Sequence, residues 1–83
     1  MERFNPELTQ ELRTLYFKEI LSNCFVARYS NYPEANAEAL VKLEGIANLD
    51  PLLGMQARMI SSLEEKDFKH LYEMTFLKPL DNI

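Results

Sequence analysis

The apolar residues in the first third of the chain recur at helical spacing but do not form a single stripe. Asn5 followed by Pro6 is typical of a helix start, because asparagine caps free amides and proline suits the first turn. We therefore predict a first helix over about residues 6–27, with a bend near Ser22 and Asn23 as an alternative to one continuous helix. Its apolar residues fall into two stripes, of which one holds Leu8, Leu12 and Leu15 and the other holds Phe17, Ile20, Leu21 and Cys24.

Two stripes on one helix predict either a second packing surface or a central position. A small helical monomer covers one stripe readily, so the second stripe predicts contact with another chain. The predicted protein interface consists of Phe17, Ile20, Leu21 and Cys24. The expected partner is a second chain, either another protein of unknown identity or a second copy, and we predict self-association as a homodimer. The alternative is a first helix that lies at the centre of the fold and is buried on both sides by the others.

The rest of the chain is divided by proline and by capping residues. Pro33 disfavours helix at the preceding residue, so a second helix is predicted over about residues 33–48, with Asn31 as its cap. Asp50 before Pro51 predicts a third helix over residues 51–61. Ser62 with Glu65 matches a capping box and predicts a fourth helix over residues 63–77, followed by a short tail over residues 78–83.

Each of these three segments has an apolar side. The second comprises Ala35, Ala39, Leu40, Leu43, Ile46 and Ala47; the third comprises Leu52, Met55, Met59, Ile60 and Leu63; the fourth comprises Phe68, Leu71, Tyr72, Thr75 and Phe76. About four short helices joined by short turns predict an all-α fold, a compact bundle or orthogonal array in a single domain over residues 1–83. One segment, 47–51, echoes the end of a helical-hairpin repeat, but the other consensus positions of that repeat are absent.

Composition and charge narrow the classes of function. The chain is 47% hydrophobic with a net charge of −4, values that suit a folded acidic domain. No apolar run reaches the roughly 20 residues of a membrane span, and no secretory signal is visible, so we expect a cytoplasmic protein without a membrane partner. The basic residues are scattered singly from Arg3 to Lys78, which makes nucleic acid an unlikely partner.

Candidate chemical groups are few, and each has a simpler structural explanation. His70 and Glu73 share one side of the fourth helix, but a solvated surface pair accounts for them. Cys24 has no cation beside it in sequence to stabilise a thiolate, and one cysteine with one histidine cannot complete a structural zinc site. We therefore predict no catalytic, cofactor-binding or metal-binding residues and no cofactor.

The methionines allow two interpretations. Met55, Met59 and Met74 could line an adaptable binding groove, because the thioether side chain is flexible and polarisable. Since Met55 and Met59 coincide with the apolar stripe of the third helix, core packing is the favoured interpretation.

The leading hypothesis is a small non-enzymatic module for protein–protein interaction, such as an adaptor, an inhibitor or an assembly subunit. The alternative is a DNA-binding regulator in which the second and third helices form a helix-turn-helix. The first turns of the third helix offer only Gln56 before Arg58 for contacts to bases or phosphates, which disfavours that alternative. A third class, a catalytic bundle, would require metal in the purified protein.

Overall fold

The computed structural model describes residues 6–77 and confirms the all-α fold class. Four helices follow one another, and these residues contain no strand: α1 spans Gln10–Tyr29, α2 spans Pro33–Ala47, α3 spans Pro51–Ser61 and α4 spans Glu65–Phe76. The predicted bounds of α2 and α3 agree to within one residue. The first helix begins four residues later than predicted and ends two residues later, and α4 is shorter than predicted at both ends.

The start of α1 is set by Thr9. Its Oγ1 accepts a hydrogen bond from the Leu12 amide at 3.2 Å, so Thr9 is the cap, and the predicted cap Asn5 lies outside the described residues. The helix is continuous through Ser22 and Asn23, so the alternative of a bend is not needed. Asn23 is buried, and its Nδ2 donates to the Glu19 carbonyl oxygen at 2.8 Å, which satisfies the amide inside the helix.

The turn from α1 to α2 is held by an asparagine that the sequence did not single out. Asn36 Nδ2 lies within hydrogen-bond distance of the carbonyl oxygens of Val26, Ala27 and Ser30, at 2.8, 3.2 and 3.2 Å. These carbonyls lie at the end of α1, where a helix leaves its last carbonyls without internal donors, although that of Val26 also accepts from the Ser30 amide at 3.0 Å. The predicted cap of α2 was wrong: the cap position is Tyr32, not Asn31, and it makes no side-chain capping bond.

Asp50 caps α3 as predicted and also makes an ion pair that the sequence did not reveal. Its Oδ2 accepts hydrogen bonds from the amides of Leu52 and Leu53 at 2.9 and 3.4 Å. Arg13 on α1 donates to both carboxylate oxygens, at 2.8 and 3.0 Å, and the Asp50 side chain is fully buried. This hydrogen bonding raises the pKa of Arg13 above its ordinary value. The pair therefore fixes the α2–α3 turn against the first part of α1.

The backbones of α2 and α3 approach each other closely at one glycine. A Cβ atom on Gly54 would lie 2.9 Å from the carbonyl oxygen of Ala47, and backbone cannot yield as a flexible side chain can. The small residues Gly54 and Ala57 are buried on this side of α3. This contact determines which side of α3 faces inward.

The two glycines of the chain provide a matched test of that contact. We expect Gly54→Ala to lower the free energy of unfolding, by about 1–2 kcal/mol, because the clash outweighs the gain in helix propensity. Gly45→Ala, where nothing lies within 4 Å of the new Cβ, should raise it by about 0.5–1 kcal/mol. Urea denaturation measures both, and two stabilising substitutions would contradict the close approach of α2 and α3.

The predicted capping box at the start of α4 was wrong. Ser62 is the C-terminal cap of α3, and its Oγ donates to the Met59 carbonyl oxygen at 2.9 Å. The N-terminal cap position of α4 is Glu64. A side chain of α1 binds the carbonyl oxygens at and just after the end of α3. Arg28 Nη2 donates to those of Ile60 and Leu63 at 3.1 and 2.6 Å. Ser62 is thus committed to the preceding helix, an assignment that the local pattern cannot distinguish from a new start.

The first helix lies at the centre of the fold. Ile20, Leu21 and Cys24 are at most 2% exposed and belong to one core. From the other helices this core takes Leu43, Leu53, Ala57, Ile60 and Phe68. The central position, stated above as the alternative, is therefore the one observed, and three of the four predicted interface residues are not on the surface.

Aromatic side chains attach α4 to the rest of the molecule. Its backbone approaches the other helices less closely than they approach one another, and the intervening space holds large rings. Phe25 and Tyr29 of α1 meet Tyr72 and Phe68 of α4, with ring centroids 5.2 and 6.1 Å apart respectively. The Arg28 guanidinium lies 4.3 Å from the centroid of the Phe68 ring. The wide separation of α4 leaves space beside it.

Candidate protein-binding groove

The exposed apolar residues are not those that helical periodicity places on the surface. Met55 and Met59 are 45% and 60% exposed, because α3 directs Leu53, Ala57 and Ile60 inward. Core packing of these two methionines was therefore the wrong interpretation. Leu40, assigned to the apolar side of α2, is likewise 58% exposed.

An apolar groove opens where α1, α3 and α4 meet. We call it the Met59 groove; it has a volume of about 340 Å³ and is lined by Phe17, Gln56, Met59, Ile60, Leu63 and Leu71. Five of these six side chains are apolar, and among the residues that the structure describes Gln56 is the only polar side chain of the lining. The groove can bury apolar surface of a ligand but offers it few hydrogen bonds.

Each wall of the Met59 groove has a local cause. Phe17 lies one turn before the fully buried Leu21 on α1, so the same side of the helix passes from core to surface along its length. Met59 and Leu63 are four residues apart at the end of α3 and the following turn, on one side of the chain. Leu71 stands on α4, three residues from the buried Phe68, at the edge of the aromatic contact.

The structure separates the four predicted interface residues. Phe17 is partly buried and lines the Met59 groove, whereas Ile20, Leu21 and Cys24 lie in the core. The Sγ atom of Cys24 is 3.6 Å from Ser61 Oγ, and burial raises the pKa of the Cys24 thiol, despite opposing effects of Ser61 and Arg28. A buried thiol with a raised pKa is a poor nucleophile, so its role here is packing.

A second apolar hollow lies on another side of α1. Leu12 and Leu15, which are 38% and 58% exposed, line it together with Tyr16 and Phe76. Its remaining lining is polar, from Lys18, Glu19 and Ser22. This hollow therefore mixes charge of both signs with apolar surface, unlike the Met59 groove.

Residues 6–77 contain no cluster of metal ligands and no helix that could span a membrane. His70 is exposed on α4, and within residues 6–77 no group of three or more histidine, cysteine, aspartate or glutamate side chains is placed to hold a metal ion. The outer side of α3, which would enter DNA in a helix-turn-helix, presents Met55 and Met59 beside Arg58. Within the same range, no helix has the length and apolar character needed to cross a bilayer.

Comparisons with protein-family models, with curated proteins and with solved structures found no match to this chain.

The sequence identifies the apolar residues of the Met59 groove but does not predict that they line an open groove. Met59, Leu63 and Leu71 were all assigned to buried stripes. The signal that could have corrected this is the pair Gly54 and Ala57, since small residues mark the side of a helix that approaches a neighbour closely. On α3, Met55 and Met59 each lie about 160° round the helix from Ala57, so a helix with Ala57 inward directs both methionines outward.

Proposed function

We propose that this protein is a non-enzymatic module that binds another protein through the Met59 groove. The observation that carries the proposal is the groove itself, an open apolar surface whose lining includes the 60% exposed Met59. Exposed apolar surface of this kind is typical of protein-binding sites, and methionine adapts its shape to the ligand that covers it.

The character of α3 favours a protein partner over DNA. A recognition helix needs polar or basic side chains directed at base edges and phosphates. Here the outward side of α3 carries two methionines, and Arg58 is the basic residue beside them. With a net charge of −4, the chain would also repel the phosphate backbone.

A homodimer was predicted through Phe17, Ile20, Leu21 and Cys24, but the last three of these residues are in the core. A heterologous partner is therefore the better proposal for the Met59 groove, and self-association becomes a result to be measured.

Photocrosslinking from inside the groove tests this proposal. We expect benzoylphenylalanine in place of Met59 to crosslink a defined protein in cells of the source organism. The same probe in place of Leu40 is a matched control, because Leu40 is 58% exposed on α2 and lies outside the lining of the groove. Equal products from both positions, or none from position 59, would contradict the proposal.

A charged substitution adds a second arm to this experiment. Met59→Glu should abolish capture of that protein, because binding would bury an unpaired carboxylate. Leu40→Glu should leave capture intact. Circular dichroism must show the same helicity for both variants, as expected for substitutions at exposed positions.

A further inference from the structure

We infer that the ligand of the Met59 groove is an amphipathic helix whose polar side is basic. This inference rests on the proposed function and goes further by naming the chemistry of the partner. It depends on two observations: the scarcity of hydrogen-bonding groups in the groove and the distribution of charge along its α4 wall.

The groove favours a helix over an extended peptide. An extended segment leaves its backbone amides and carbonyls to be paired by the surface that it covers. Within residues 6–77, Gln56 is the only polar side chain in the lining, so a buried extended segment would leave most of those groups unsatisfied. A helix pairs its backbone groups internally and needs only an apolar side to fill the space between Phe17, Met59 and Leu71.

The α4 wall carries negative charge. Asp67 lies one turn before Leu71 on α4, so its carboxylate is on the side of the helix that faces the groove. Glu64, the cap residue of α4, directly follows the groove residue Leu63. Both residues are exposed, and neither forms an ion pair with a cation of residues 6–77. The lysines of this helix, Lys66 and Lys69, are about 140–160° away from Leu71, on the opposite side.

The cations near the groove do not pair with these carboxylates. Arg28 donates to the carbonyl oxygens of the groove residues Ile60 and Leu63, and among residues 6–77 it forms no ion pair with Glu64 or Asp67. Arg13 is four residues before Phe17, but it forms a two-point ion pair with the buried Asp50. Lys18 and Arg58 adjoin groove residues in sequence but line other hollows. A second copy of the chain would bring its own Glu64 and Asp67 against these carboxylates, whereas a basic helix would complement them.

Two designed peptides of opposite charge test the inference on the full-length protein. One is an amphipathic helix of leucine and lysine, and in the other glutamate replaces every lysine. We expect the lysine peptide to bind about tenfold more tightly or better in isothermal titration at low salt, with the difference narrowing as salt is added. Its binding should shift the methyl NMR signal of Met59, assigned with Met59→Leu.

Matched variants separate the groove from the overall charge. Glu64→Gln with Asp67→Asn should reduce the preference for the lysine peptide about threefold or more. Glu34→Gln with Glu44→Gln removes the same charge from exposed positions of α2 and should leave the preference unchanged. An equal reduction in both double variants would show attraction to net charge alone and would overturn the inference.

Other outcomes would overturn the inference but would not contradict the proposed function. These are equal or tighter binding of the glutamate peptide, no binding of either peptide, or a dimer in light scattering whose formation shifts the Met59 signal. In each case a protein crosslinked from position 59 would still support a protein-binding groove. If the lysine peptide bound at Met59 but no protein crosslinked from position 59, the inferred ligand chemistry would be supported and the proposed protein partner would be contradicted.

Discussion

Replacing Leu21 by alanine is expected to lower the free energy of unfolding by about 3 kcal/mol. Leu21 is fully buried on the central helix, so the substitution removes apolar surface and leaves a cavity among residues from several helices. A domain of this size has a total stability on the order of 5 kcal/mol, so the variant should be close to unfolding at room temperature. Urea denaturation followed by circular dichroism measures the change.

Leu15→Ala is the matched control on the same helix. Leu15 is 58% exposed, so the same deletion should change the free energy of unfolding by about 0.5 kcal/mol or less. Light scattering should show that both the parent protein and this control are monomers. A small loss of stability in Leu21→Ala together with loss of a dimer would contradict the buried position and restore Leu21 to an interface.

Asp50→Ala is expected to cost about 3 kcal/mol or more. The substitution removes the cap of α3 and the carboxylate that faces Arg13, and it does so at a fully buried side chain. Urea denaturation measures this loss. Native-state hydrogen exchange followed by NMR should be faster at the amides of Leu52 and Leu53, because they lose their acceptor.

Asp50→Asn divides this effect into its two parts. Asparagine retains an oxygen that can accept from the α3 amides but lacks the charge that attracts Arg13. We expect a loss about half that of Asp50→Ala. Equal losses in the two variants would show that the cap contributes nothing, and a loss below about 1 kcal/mol in both would contradict the ion pair as a structural element.

The sequence by itself determined the number and order of the helices in residues 6–77 and the bounds of α2 and α3. Proline before an apolar period, with Asp50 as cap, predicts α2 and α3 to within one residue, because these signals act on the local backbone. Capping signals that could belong to either of two consecutive helices were less informative. Ser62 satisfies the pattern of a helix start but binds the end of α3, since the same hydroxyl can serve either helix.

Only the tertiary structure decided which apolar residues form the core and which form the Met59 groove. Periodicity identifies apolar stripes, but it does not show whether another helix covers a given stripe. The close approach at Gly54 turned Met59 outward, and the packing of three helices around α1 turned Leu21 inward. Both outcomes depend on contacts between residues distant in sequence, such as Gly54 with Ala47 and Arg13 with Asp50, which no local pattern encodes.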